Sequence, residues 1–236
     1  MNKLLKLLVV AMTASSLHCV AQTYPSSNIN LVVPFAAGSG TDAVARIMAT
    51  KMGSILGQPV IVDNKPGASA QIGAQLVASA KPDGYTLLMT TNTSHSANPY
   101  LFQNLKYDPI KDFTPIARVG ELPFVLTVNN DLPVKTVQEL IDYAKANPGK
   151  LSYGTPNSTS LVTTETIMYL AKIGMTQIPY KSSPQALTDL IGNQIQVYVV
   201  DTGSGMGMIK AGKVRPIGLT GNRPYAQLPN VPPIAK

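Results

Sequence analysis

Tryptophan is absent from the 236 residues, phenylalanine occurs only 4 times and cysteine once. The core must therefore be aliphatic. One thiol allows no internal disulfide, so packing alone must hold the fold. Of the 2 histidines, His18 lies in the N-terminal apolar region, leaving His95 alone in the rest of the chain, which is too few for a His-rich metal site. Charged residues make up 13%, with no basic run and no interleaved aromatics, which argues against a nucleic-acid partner. No Gly-x-Ser-x-Gly elbow occurs, and no pair of acidic residues is marked by its context. No cofactor motif is present either. The inventory thus points away from an enzyme, with a Ser–Lys arrangement or a carboxylate pair assembled by the fold as the open hydrolase alternative. What is plentiful is apolar material, 44% of the chain. That is enough for a sizeable core and far from a disordered composition.

The N-terminus has three parts: a basic start with Lys3 and Lys6, an apolar run over 7–14, and a small residue at Ala21. This is the pattern of an export signal; the run is too short to span a bilayer. Cleavage after Ala21 would remove Cys19 with the leader. Acylation of Cys19 is the competing reading, and His18 before it is too bulky for that. The net charge of +7 is scattered. Such a field suits collection of small anions, although solubility alone accounts for it.

From residue 29 the chain alternates strand and helix signals. The apolar run 29–33 predicts a buried strand. A helix follows, with Val44, Ile47, Met48, Met52 and Ile55 on one face at helical spacing and Gly57 placed to cap its C-terminus. Strands at 60–62 and 85–90 flank a small-residue helix over 68–80. The second half repeats this grammar. Strands are predicted at 124–128, 151–154, 177–180, 195–200 and 214–219. Thr136 and Glu139 form a capping box, and helices are expected from there, after 160 and over 183–191. The stretch 203–207 reads as a flexible loop. These patterns imply an α/β architecture of two units with parallel-type sheets and helices on their faces. An extended segment near 113–127 joins the units, and a second crossing is expected near 215–220.

Ligands of open α/β sheets collect where strands end and helices begin. The loop Phe35, Ala36, Ala37, Gly38, Ser39 leads into a helix carrying Asp42, and its glycines let backbone N–H groups turn toward an anion. A plain tight turn capped by Thr41 or Asp42 is the competing reading. It is no dinucleotide fingerprint, since Ala43 stands where the third glycine belongs. The loop Thr155, Asn157, Ser158, Thr159, Ser160 offers neutral donors before another helix, or simply an N-cap at Ser158 or Thr159. Thr91 and Asn92 follow a strand, as does Asp201. His95 reads as a surface or cap residue.

Residues 30–42, Asn-Leu-Val-Val-Pro-Phe-Ala-Ala-Gly-Ser-Gly-Thr-Asp, resemble the opening signature of the Bug family, the TctC-like receptors of tripartite tricarboxylate transporters. The resemblance continues through 62–68, 81–87, 112–116, 179–181 and 186–190, in order over most of the chain. It implies a two-lobed Venus-flytrap fold in the periplasm, with lobe 1 over 22–122 and lobe 2 over 123–218. A small carboxylate would be held between the lobes by Phe35, Ala36, Ala37, Gly38, Ser39, Asp42 and by Thr155, Asn157, Ser158, Thr159, Ser160, with Thr91, Asn92 and Asp201 as further lining. The implied partners are membrane transporter subunits, or a sensor kinase ectodomain if the role is sensing, and the implied state is a monomer without cofactor or metal. Ser39 stands where the family usually has glycine, and the 155–160 loop is less glycine-rich than is usual. Family members also continue beyond residue 236, so 219–236 is expected to begin a return to lobe 1 that this chain does not finish; a non-functional product is the corresponding alternative.

Overall fold

The computed structural model describes residues 23–234; the expected leader falls outside them. The first sheet is three-stranded, ordered β2-β1-β3, with β1 Ile29–Val33, β2 Val60–Asn64 and β3 Thr86–Leu88. All of its pairs are parallel, in registers such as Ile29↔Val60 and Asn30↔Thr86. Helix α1 (Gly40–Leu56) covers one face and α2 (Gln71–Ala78) lies beside β3. Beyond β3 come a π-helical turn over Thr93–Ala97 and α3 (Asn98–Leu101).

The second sheet is five-stranded, ordered β6-β5-β7-β4-β8: β4 Phe124–Val128, β5 Ser152–Thr155, β6 Thr176–Pro179, β7 Val197–Asp201 and β8 Arg215–Leu219. Its helices are α4 (Val137–Ala146), α5 (Ser158–Ala171), α6 (Ser183–Ile191) and α7 (Thr202–Lys210). Strand β7 is buried along its whole length, and period two sorts it between two cores. Val197 and Val199 pack with Leu126, Leu140 and Ile167 on one face, and Tyr198 and Val200 with Leu187, Leu190 and Ile209 on the other.

The second sheet is mixed, which refines the expectation of parallel-type sheets. Strand β5 is parallel to β6 and β7, but β4 is antiparallel to both β7 and β8. The reason lies in how the chain arrives. Phe124, the first residue of β4, pairs with Asp201, the last of β7. Since β7 ends at the gap between the lobes, a strand entering from the first lobe must run the opposite way. A correction concerns residues 203–207, which are helical, within α7. Asp201 caps that helix by accepting from the Ser204 N–H at 2.8 Å, and the cap overrides the weak propensity of three glycines.

Helix α1 turns a different face inward from the one its large apolar residues suggest. Ala45 and Ala49 pack on Leu31 and Val33, while Ile47 and Ile55 are 70% and 71% exposed. Small side chains let the helix approach a narrow sheet closely, and that contact decides its rotation. Gly57 takes φ 69 as the left-handed cap, as expected for glycine there. The Thr136 cap also forms, accepting from the Glu139 N–H at 3.1 Å, but the Glu139 carboxylate accepts from Lys135 N–H, one residue before the cap.

Candidate functional site

The loop after β1 is fixed from behind. Ser39 is the N-cap of α1, its hydroxyl accepting from the Asp42 N–H at 3.2 Å, so neither Thr41 nor Asp42 has that role. Gly38 takes φ 79, a conformation costly for other residues. Asp42 faces back into the loop. Its Oδ2 accepts from Gly38 N–H at 2.9 Å and Arg46 Nε at 3.0 Å, and its Oδ1 from Asn64 Nδ2 at 2.9 Å. The same Asn64 amide donates to the Phe35 carbonyl at 3.0 Å. Burial opposes ionisation of Asp42, but the bonds from Arg46, Gly38 and Asn64 outweigh it and hold the carboxyl below its ordinary range.

The loops meet in a narrow interlobe cleft of ≈ 20 Å³. From the first lobe come Phe35, Ser39, Gly40, Thr41, Thr91 and Thr93; from the crossing segment Leu122 and Phe124; from the second lobe Asn157, Thr159, Ser183 and Asp201. The first residues or caps of four helices, α1, α5, α6 and α7, lie in this lining. Each is capped by a side-chain oxygen, from Ser39, Asn157, Ser182 and Asp201 respectively. Their converging dipoles favour an anion. No lysine, arginine or histidine lines the cleft, and Asp201 is its single charged residue among the described residues.

Contacts cross the gap directly. The Thr93 and Ser158 hydroxyls are 2.8 Å apart and buried, and Thr159 Oγ1 donates to Asn92 Oδ1 at 3.4 Å. Beneath the cleft Tyr198 is fully buried, beside Ser160 and Ser183; burial first, then the Asp201 charge, raises its hydroxyl pKa strongly.

Six of the candidate residues thus come together in the lining: Phe35, Ser39, Thr91, Asn157, Thr159 and Asp201. Asn92 and Ser158 bridge the lobes instead. Ala36 is partly exposed and Ala37 and Gly38 are exposed, outside the lining; a Cβ on Gly38 would lie 3.5 Å from Pro184 Cγ of the second lobe. Asp42 braces the loop. Thr155 accepts from Gln177 across to β6, and Ser160 is buried, donating to the Val199 carbonyl at 2.8 Å. His95 is behind the cleft, its Nδ1 2.8 Å from Ser94 Oγ and its ring 4.6 Å from that of Phe113; burial lowers its pKa. Sequence reasoning missed Gly40, Thr41, Thr93, Leu122, Phe124 and Ser183. The rule that ligands gather beyond strand ends reaches Thr93 and Ser183; nothing local marks Leu122.

Comparison with known proteins gives the family. The sequence profile of the tripartite tricarboxylate transporter family receptor matches residues 44–236. A UPF0065 protein from the gbd 5′ region of Cupriavidus necator is 37% identical over 225 residues, covering 94% of this chain and 68% of that protein. Other curated relatives are covered over 64% and 69% of their length, so the chain spans about two thirds of the proteins it matches. Among solved structures, Rpa4515 of R. palustris with adipate superposes at TM-score 0.87 with 33% identity, over 90% of this chain and 72% of that one. MatC from Rhodopseudomonas palustris with bound malate gives 0.84 and 31%, over 89% and 72%. Sequence and fold together show that the chain belongs to the tripartite tricarboxylate transporter receptor family, the Bug-type periplasmic solute-binding proteins.

Proposed function

We propose that the chain captures a small carboxylate between its lobes, in the periplasm, and presents it to the membrane subunits of a tripartite tricarboxylate-type transporter. The observation that carries this reading is the convergence of four helix N-termini on a cleft lined with hydroxyls and amides and, among the described residues, lacking any basic side chain. Such a site attracts an anion through oriented N–H groups and leaves no ion pair to break when the ligand is handed on. The bound adipate and malate of two structural neighbours support the ligand class. Phe35, Ser39, Thr91, Asn157 and Thr159 are the residues we assign to contact.

A cleft of ≈ 20 Å³ has room for about one water molecule. A dicarboxylate therefore enters an opened form, and the lobes close on it afterwards. The test is a thermal-shift screen of residues 22–236 against small mono-, di- and tricarboxylates. A ligand at a hundredfold excess over its Kd should add about 2.7 kcal/mol of stability, or about 5–10 °C in Tm for a chain of this size. A cooperative melt that no acid shifts selectively would refute the reading.

A further inference from the structure

Two glycines meet where the lobes touch. Gly40 is the first residue of α1, in the first lobe, and Gly203 is the second residue of α7, in the second. A Cβ placed on Gly203 would lie 2.4 Å from the Gly40 Cα, and one on Gly40 would lie 2.2 Å from Asp201 Oδ1 and 2.8 Å from Leu122 Cδ2. Neither glycine has the left-handed backbone that excludes other residues. Within its own lobe, Gly203 would bring the new carbon no closer than 3.2 Å to Asp201 Oδ1. The constraint on Gly203 is therefore set by the opposite lobe. Its severe part, the 2.4 Å approach to Gly40, exists only while the lobes are together.

We propose that Gly203, facing Gly40, is the residue that permits lobe closure and fixes how narrow the closed cleft becomes. The inference rests on the ligand-capture reading above and adds to it a determinant of how far the lobes close. Carbon atoms in contact need about 3.5–4.0 Å, so a methyl group at 203 would hold α1 and α7 apart by about 1 Å or more. The Thr93–Ser158 contact across the gap, at 2.8 Å, would then be lost, and the empty cleft would rest wider than its present ≈ 20 Å³. In the open form the same methyl meets only the Asp201 carboxylate, 3.2 Å away, which has to give by a few tenths of an ångström, and alanine suits the first turn of a helix better than glycine does. Gly207, on the same helix, has nothing within 4 Å of its would-be Cβ and serves as the control.

The experiment reads closure without a ligand. Thr93→Cys and Ser158→Cys, in a Cys19→Ser background, place two thiols where the closed form brings the side chains within reach of a disulfide. The rate of cross-linking under mild oxidant reports the closed population. Gly203→Ala should slow it at least tenfold and Gly207→Ala should leave it unchanged, while neither lowers the Tm of the unliganded chain. Cross-linking of Gly203→Ala within twofold of the control overturns the proposal. So does a lowered unliganded Tm for Gly203→Ala alone, which would make the glycine structural within its lobe. If closure slows as expected but no acid binds even the unsubstituted chain, the closure inference stands and the carboxylate reading falls.

Discussion

Asn64 is the most informative single position for the first loop. Its amide donates to the Phe35 carbonyl at 3.0 Å and to Asp42 Oδ1 at 2.9 Å, and its Oδ1 accepts from Arg46 Nη2 at 3.2 Å. Asn64→Ala removes all three bonds. A neutral bond is worth about 0.5–1.5 kcal/mol and one to a charged group about 1.5–3 kcal/mol. Asn64 is only half-buried, so water recovers part of this, and a net loss of about 2 kcal/mol is expected. Tm should fall by about 4–8 °C. Asn64→Asp separates packing from charge. It keeps the shape but sets a second carboxylate against Asp42, so at pH 7 it should cost more than the alanine. The sign with pH follows from Asp42, whose pKa is held down in the folded chain. That stabilisation is complete above the unfolded pKa of about 3.9 and fades as pH falls through the lower folded value. The penalty of Asn64→Asp over Asn64→Ala should therefore shrink on acidification below about pH 4. Urea unfolding of the three chains at pH 7 and pH 3.5 measures this. Equal stabilities for Asn64→Ala and the parent chain, or a pH-independent gap between the two variants, would refute the idea that this amide braces the loop through Asp42.

Two further substitutions test the cleft and the fold. Asn157→Asp keeps a good cap on α5 but adds a negative charge to the lining; Tm should hold while affinity for malate or adipate drops at least tenfold, read by calorimetric titration. Ile47→Glu should change stability by no more than about 0.5 kcal/mol, whereas Ala49→Glu, on the face packed against β1, should cost upwards of 3 kcal/mol, both by denaturant melts.

Local signals announced what local physics decides. Residues 29–33 and 124–128 are strands with the predicted bounds, because unbroken apolar runs between turn residues have few other uses. The Thr136 cap and the Gly57 cap were legible for the same reason. Three features were not. The direction of β4 depends on where the chain crosses from one lobe to the other. The rotation of α1 depends on how near Ala45 and Ala49 can bring it to a sheet. The helix over 203–207 depends on Asp201, a cap whose role cannot be told from that of a lining residue until the strand before it is placed. The site follows the same division. Loops beyond strand ends were found, but which side chains face the gap was not: Asp42, the loop's one acid, turns inward to Arg46, and Leu122 enters only through the crossing.

Asp201 sharpens the electrostatic argument. A buried carboxylate in the lining is at first sight hostile to an anionic ligand. Yet both its oxygens are engaged by the start of α7, Oδ1 by the Ser204 N–H at 2.8 Å and Oδ2 by the Ser204 hydroxyl at 2.9 Å. Its charge is spent on one helix end, which leaves α1, α5 and α6 to face a ligand. The caps of those three are uncharged: Ser39, Asn157 and Ser182. An anion bound there would meet hydroxyls, amides and partial positive ends, with the Asp201 oxygens already turned to Ser204. The predicted consequence is weak salt dependence of binding, since no exposed basic side chain contributes a screened attraction. A steep fall in malate or adipate affinity between 50 mM and 500 mM salt would show that a distant lysine or arginine, not the helix ends, draws the ligand in.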